Sequence, residues 1–247
     1  MENKIFDEMY KVENQHWWFV ARRKIIESAI RQQNLAQNSV IFDAGCGNGD
    51  NLAFLSRHGA VQAMERDERA LSKAKEREIG EIFQGELPNA IPSEIRKDND
   101  LIVLLDVLEH IDDDGGSLAA LSHYIDDKGR LIMTVPAYQF LWTIHDELHH
   151  HKRRYTVGSL RKVIENNGWN ISYISYFNCF LFPLALIDRM KQKIFSTNEN
   201  GDLKMPPKLI NVLFEKIFAL ESRFIGKIKF PFGLSILVVA EKNNNGK

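Results

Sequence analysis

The stretch Val40-Ile41-Phe42-Asp43-Ala44-Gly45-Cys46-Gly47-Asn48-Gly49-Asp50-Asn51-Leu52 constrains this chain more than any other. Val40, Ile41 and Phe42 are apolar or β-branched and read as a buried strand. Three glycines then alternate with other residues before a helix-like pattern begins near Asp50. A strand that passes through a glycine-rich turn into a helix presents backbone N–H groups and a helix N-terminus to whatever binds there. Glycine suits such a turn because it reaches positive φ without strain and lets a ligand lie against the backbone. The turn therefore predicts a bound nucleoside cofactor.

The rest of the chain supplies a sheet for that turn. Strand patterns recur at 39–44, 60–65, 80–84, 100–106 and 129–135, with helical patterns between them at 50–57, 67–78 and 114–125. Asp67 is the expected N-cap of the second of these helices, and the Asp112–Asp114 run that of the third. Leu101-Ile102-Val103-Leu104-Leu105 is apolar at every position, as a strand buried on both faces must be. That pattern implies a largely parallel α/β sheet with helices on each side. Thr156 or Ser159 opens another helix, which stops at Asn166-Asn167-Gly168. Strands are expected again at 169–177 and 233–240.

A chain of 247 residues suits one domain. Its parts are an N-terminal helical cap (1–38), a cofactor-binding core (39–177), a helical insert (178–228) and a closing strand (229–241). The insert breaks the strand–helix rhythm. It could be a lid over the acceptor, a dimer surface or a surface for lipid; its segment Phe180–Ile187 is more apolar than an exposed helix should be, which favours a lid or core element over membrane contact.

Bulk composition excludes several classes. Lys plus Arg is 32 against 33 Asp plus Glu, so no nucleic-acid partner is expected. Only Cys46 and Cys179 are present, too few for a disulfide framework and consistent with a reducing compartment. The N-terminus lacks a signal-peptide h-region, and no apolar run reaches the roughly 18 residues of a membrane span. A cytoplasmic protein is the expectation, with peripheral membrane contact left open along with the oligomeric state.

The cofactor can be narrowed further. Gly45-x-Gly47-x-Gly49 is not the dinucleotide fingerprint, because Asp50 stands where the third fingerprint glycine belongs, and no Gly-Lys-Ser/Thr follows to make a P-loop. Glu65, about 20 residues after the turn, ends the second strand where a carboxylate can accept ribose hydroxyls. Gln84-Gly85-Glu86-Leu87-Pro88 and Asp106-Val107-Leu108-Glu109-His110 end the third and fourth strands on the same edge of the sheet.

These ordered residues, with Lys128-Gly129-Arg130 before the fifth strand, resemble the class I S-adenosylmethionine-dependent methyltransferases over residues 39–177. The resemblance implies a Rossmann-like seven-stranded sheet, S-adenosylmethionine as cofactor and S-adenosylhomocysteine as product. It implies that Asp43, Gly45, Cys46, Gly47 and Gly49 meet the methionine part. Glu65, with neighbouring Arg66, would take the ribose, and Gly85, Glu86 and Leu87 would lie by the adenine. Asp106, Val107 and His110 would line the methyl-donor pocket. The segment Tyr10-x-x-Glu13-x-x-His16-Trp17-Trp18-Phe19-x-x-Arg22-Arg23 is similar to the N-terminal cap of a subset of these enzymes. Arg22 or Arg23 would then meet the cofactor carboxylate, and Trp17 would cover the cofactor unless it is core. Cys46 is expected to pack rather than react.

The acceptor side falls to the loop that follows the fifth strand, His145-Asp146-Glu147-Leu148-His149-His150-His151-Lys152-Arg153-Arg154-Tyr155. Either it is a solvated polar loop or it faces the acceptor, and its place at the ligand edge favours the second. Arg153, Arg154 and Tyr155 suit an anionic group. His145, His149 and, at the fourth strand end, His110 are the candidate bases. His145 and His149 stand four apart, a spacing zinc can use, but no cysteine or distant ligand completes a site, and no metal is expected. The expected reaction is methyl transfer to a small-molecule acceptor, anionic, sugar- or lipid-derived. The rivals are a non-catalytic cofactor-binding or regulatory domain of the same fold and a nicotinamide oxidoreductase.

Overall fold

Residues that alternate between two buried faces set the architecture. In the computed structural model, which describes residues 10–195 and 205–243, seven strands form one sheet. They are β1 (Val40–Ala44), β2 (Ala60–Glu65), β3 (Glu81–Gln84), β4 (Asn99–Leu105), β5 (Ile125–Pro136), β6 (Trp169–Phe177) and β7 (Ser235–Lys242). Their spatial order is β3-β2-β1-β4-β5-β7-β6, with β3 through β5 parallel and β7 antiparallel to both β5 and β6.

Successive side chains of a strand point to opposite faces, and here both faces are covered. Ile41, Leu101, Val103, Leu105, Ile132, Leu237 and Val239 feed one core, together with Ile25, Ile26 and Phe218 from helices. Phe42, Ala44, Ile102, Leu104, Leu131, Met133 and Val238 feed the other, with Leu118, Leu121, Leu160 and Ile164. This double burial is why β4 carries an unbroken apolar run.

The helices that bear on the site are α1 (Trp17–Arg31), α2 (Leu52–Leu55), α3 (Glu68–Lys75), α4 (Asp114–Leu121), α5 (Ile144–Leu148), α6 (Val157–Glu165), α7 (Phe182–Phe195) and α8 (Lys208–Leu220). Asp67 caps α3 by accepting from the amides of Arg69 and Ala70, Asp113 caps α4, and Thr156 caps α6 in a reciprocal box with Ser159. Each such cap contributes about 1 kcal/mol.

Two expectations on boundaries need correction. The helix expected at 50–57 is a single turn, because the backbone leaves the glycine turn only at Leu52. The strand expected at 129–135 starts at Ile125, where a register irregularity beside Asn99 and Leu101 lets an exposed Asp126–Lys128 segment stay extended.

The insert packs against the N-terminal helix. Trp17 N donates to Asn211 Oδ1 at 2.9 Å, and Asn211 Nδ2 returns a bond to Gln15 O at 2.8 Å. Lys24 pairs with Glu215 at 2.7 Å, and Ser28 Oγ donates to Ser222 O at 2.7 Å. With Ile25 and Ile26 fully buried beneath, at roughly 1.5–3 kcal/mol each, α1 and α8 brace one face of the sheet together. Residues 196–204 of the expected insert lie outside the described residues. No described helix is long and apolar enough to cross a membrane.

Candidate active site

The C-terminal ends of the parallel strands lie along one edge, and the strand order reverses between β1 and β4, where open α/β sheets bind their ligands. The glycine turn sits there. Gly45, Gly47 and Gly49 all take positive φ, at +116°, +55° and +76°. The amides of Gly45 and Cys46 both donate to Met64 O at 3.0 Å, which fixes the turn against β2. A methyl group added at Gly47 would meet no atom within 4 Å, so the backbone there borders open space. One added at Gly45 would lie 2.7 Å from Val107 Cγ2, which sets the start of the fourth-strand loop against the same turn.

Glu65 closes this cradle from the next strand. Its Oε2 accepts from Gly47 N at 2.9 Å and its Oε1 from Asp67 N at 2.8 Å. Burial raises its pKa while these backbone donors pull it back down. Beneath the turn, Asp43 is fully enclosed, and neither of its oxygens has a hydrogen-bond partner among the described residues. Burial, with Asp50 and Glu65 nearby, raises its pKa to about 8. Asn51 Oδ1 is likewise buried without a donor. Buried acceptors lacking donors carry a cost. A ligand rich in O–H and N–H groups, such as a nucleoside with an amino-acid tail, supplies what this site lacks.

The fourth-strand end carries the strain. Asp106, not a glycine, has φ +57°, and its Oδ2 lies 2.5 Å from Arg22 Nη2. Arg22 also donates to Thr134 Oγ1 at 3.1 Å, and Trp18 lies under its guanidinium at 5.3 Å. Arg22 thus lies at the strand edge, paired with a carboxylate of the chain itself. Arg23 donates to Glu13 O at 2.7 Å, and its Nη1 lies 3.6 Å from Asp50 Oδ2 at the end of the glycine turn.

Several expected positions move. Trp17, half-buried, packs its ring against Phe214 and Phe218 of α8, between cap and insert. Arg66 and Glu86 pair at 2.8 Å on the surface, both more than half exposed, and Leu87 is buried. Gly85 is packed against Pro92 and Ala90 O, leaving its third-strand corner without room for a side chain. Cys46 is buried, and burial raises its thiol pKa well above normal, as a packing role requires.

The largest correction concerns the loop after β5. Arg154 is buried and forks onto Asp146, Nε to Oδ1 at 2.7 Å and Nη2 to Oδ2 at 2.8 Å, while Nη1 donates to Ala137 O at 3.2 Å. Arg153 pairs with Asp114 at 2.9 Å, and the Tyr155 hydroxyl donates to the same Asp114 oxygen at 2.9 Å. All of these cationic and phenolic groups hold the loop down, so none is left turned toward an anion.

What the loop delivers is His151. Its Nδ1 lies 2.8 Å from Asp146 Oδ1, and its ring packs edge-on to His110 at 4.6 Å. Burial first, then His151, lowers the pKa of His110 to about 3, so that imidazole is neutral. His149 is buried with its ring 5.8 Å from that of His151, and the His145 side chain lies outside the described residues. Glu109 is fully buried in the turn between them, and burial with Asp106 raises its pKa well above normal. Sequence reasoning missed Asp146, His151 and Glu109. The acidic pair Asp146-Glu147 beside a run of cations was the available signal for the first.

Comparison with known proteins accords with this geometry. A family model described as a methyltransferase domain matches residues 16–174. No curated protein matches the sequence. Among solved structures, the methyltransferase complexed with the Trm112 methyltransferase activator of Haloferax volcanii is similar at TM-score 0.63 and 12% identity, covering 98% of this chain and 96% of that one. Magnesium protoporphyrin IX methyltransferase from Synechocystis PCC 6803, with bound S-adenosylhomocysteine, is similar at TM-score 0.59 and 13% identity over 97% and 95% of the two chains. A TehB-like methyltransferase from Corynebacterium glutamicum gives TM-score 0.54 and 18% identity over 88% and 87%. At such identities the structures speak for the fold alone. The family match runs from the N-cap of α1 into β6 and so takes in the whole strand edge, and the chain belongs to the class I S-adenosylmethionine-dependent methyltransferase family.

Proposed function

We propose that this protein transfers a methyl group from S-adenosylmethionine to a small-molecule acceptor, sugar- or lipid-derived, that enters beside the fourth and fifth strand ends. The observation that carries the reading is the pairing of an open glycine cradle, against which Val107 packs, with the nearby cluster of buried Glu109 and half-buried His110 and His151. When bound, S-adenosylmethionine supplies an electrophilic methyl carbon on a sulfonium. Glu65 would hold the ribose hydroxyls and Asp43 the donors of the amino-acid tail. The Arg22–Asp106 pair would border the methyl-donor end. Neutral His110 and the Asp146-oriented His151 would receive the acceptor. Positioning of this kind is worth effective molarities of about 10⁵ M or more.

An apolar part of the acceptor has a matching surface. Tyr138 stacks on Tyr176 at 5.0 Å beyond the end of β5, and Phe140, Phe182 and Phe232 continue the strip. Phe140 and Phe232 are well exposed. This supports a lipid-linked or aromatic portion over a purely polar acceptor.

Calorimetry with S-adenosylmethionine and with NAD, on the wild type and on Glu65→Ala, tests the cofactor side. S-adenosylmethionine should bind and NAD should not, and Glu65→Ala should weaken binding by more than about tenfold, since it removes the ribose acceptor and the clamp on Gly47. Tight NAD binding without S-adenosylmethionine would overturn the reading. Transfer of label from methyl-labelled cofactor to a panel of hydroxylated lipids and sugars tests the acceptor side. Bound cofactor with no transfer to any member would favour a regulatory domain.

A further inference from the structure

We propose that Glu109, His110 and His151 form a binding site for a divalent first-row transition-metal ion on the acceptor side of the cofactor cradle. One carboxylate oxygen of Glu109 and one ring nitrogen from each histidine lie within 4.8 Å of one another. Metal–ligand bonds of about 2.0–2.2 Å hold three ligand atoms roughly 3.3–3.8 Å apart. The cluster therefore needs to contract by about 1 Å or more, a side-chain adjustment, to close on an ion.

Glu109 supplies an independent reason to expect a cation. It is 1% exposed, and neither of its side-chain oxygens has a hydrogen-bond partner among the described residues. The cations nearest to it are already engaged, Arg22 with Asp106 and Arg154 with Asp146. A buried carboxylate with no donor is costly unless it is paired or bound to a metal.

His151 is also held the way a metal ligand is held, and the His110 ring packs edge-on against it at 4.6 Å. Nδ1 of His151 is bonded to Asp146 Oδ1 at 2.8 Å, which makes Nε2 the nitrogen that an ion would take. A ligating imidazole normally gives its second nitrogen to a carboxylate or a carbonyl, and His151 does so here. The backbone adds a tie, since Lys152 N donates to Glu109 O at 2.7 Å and sets the loop against the fourth-strand turn.

Two imidazoles and one carboxylate suit manganese, iron, cobalt or zinc, and suit magnesium and calcium poorly, since those prefer oxygen throughout. Three protein ligands leave coordination positions open. An acceptor hydroxyl could occupy one and be held at the cradle. That role rests on the methyl-transfer reading above; the presence of the site does not.

The test uses the full chain, stripped with EDTA. Mn²⁺ is titrated in and followed by loss of the free-ion EPR signal, and Co²⁺ by its visible absorption. One ion per chain is expected. Glu109→Gln and His151→Asn should each weaken binding at least about tenfold, with unchanged circular dichroism, while exposed His123→Ala leaves it as in the wild type. If Glu109→Gln does not fold, His151→Asn carries the comparison. No stoichiometric binding, or binding indifferent to both variants, would overturn the proposal. S-adenosylmethionine calorimetry on the same samples separates the two readings. Cofactor binding without metal binding sinks this inference alone, and metal binding without cofactor binding sinks the methyl-transfer reading alone.

Discussion

The guanidinium of Arg22, within α1, lies 2.5 Å from Oδ2 of Asp106 at the tip of β4. This contact ties the N-terminal helix to a residue whose φ of +57° few side chains tolerate. Arg22 is 5% exposed and Asp106 26%, so removing the cation strands a carboxylate that still reaches some water. Arg22→Ala should therefore cost about 2–3 kcal/mol, below the range for a wholly buried pair. Urea unfolding checks the stability, and cofactor titration should show weakened binding beside it. A variant with the wild-type midpoint and affinity would mean that α1 is held by its apolar face alone.

Gly45 and Gly47 are two residues apart and should fail differently. An alanine at Gly47 adds a methyl group into open space, so the protein should fold with a penalty of about 1–2 kcal/mol from the left-handed backbone. Its cofactor affinity should fall at least tenfold, because the methyl group stands where the ligand would approach. An alanine at Gly45 would overlap Val107 and should be the more destabilised of the two. Thermal melts and calorimetry on both variants decide. Wild-type affinity in Gly47→Ala would show that the open space is not the cofactor's.

How much of this was legible depended on whether a residue's partner is near it in sequence or implied by the fold. β4 was legible because burial on both faces leaves only apolar residues. Glu65 was legible because a carboxylate at a strand end, at that distance from the turn, has few other uses. Arg154 was not, because only the folded loop reveals that Asp146 holds both of its nitrogens. His151 was overlooked for a related reason. A four-residue spacing matters on a continuing helix, but α5 ends at Leu148, and the next turn of chain brings His151 to His110 instead. Trp17 could serve core or cofactor equally by its chemistry, and only the fold shows its ring packed against α8.

Asp43 makes stability depend on pH. Its folded pKa of about 8, raised chiefly by burial, lies above the ordinary carboxyl value of 3.8. Between those values the native state holds a proton that the unfolded chain has released, so stability falls as pH rises through the window. The slope has an upper limit of about 1.4 kcal/mol per pH unit for a single proton. Asp43→Asn cannot release that proton. Without cofactor, its melting temperature should gain on the wild type from pH 5 to pH 8 and hold level above. Parallel melting curves across that range would place the Asp43 pKa at its ordinary value.

Glu221 organises the junction between β6 and the helical insert. It is fully buried, its Oε2 accepts from Asn178 N at 2.7 Å, and its Oε1 accepts from Cys179 N at 2.7 Å and Phe180 N at 2.9 Å. These amides lie where the chain leaves β6 through the left-handed Asn178 and turns into α7. Glu221→Ala leaves them without an acceptor, and each unsatisfied buried donor costs about 1–3 kcal/mol, so a loss of about 3–5 kcal/mol is expected. Glu221→Gln keeps one carbonyl acceptor but faces a remaining N–H with its own NH₂ group. It should fall between the wild type and alanine. The glycine turn lies on other strands, so cofactor affinity should survive in whatever fraction stays folded. Denaturant unfolding monitored alongside cofactor titration gives both quantities. Equal midpoints for the glutamine variant and the wild type would show that charge contributes nothing at this junction, and an alanine variant within about 0.5 kcal/mol of the wild type would remove Glu221 as its organiser.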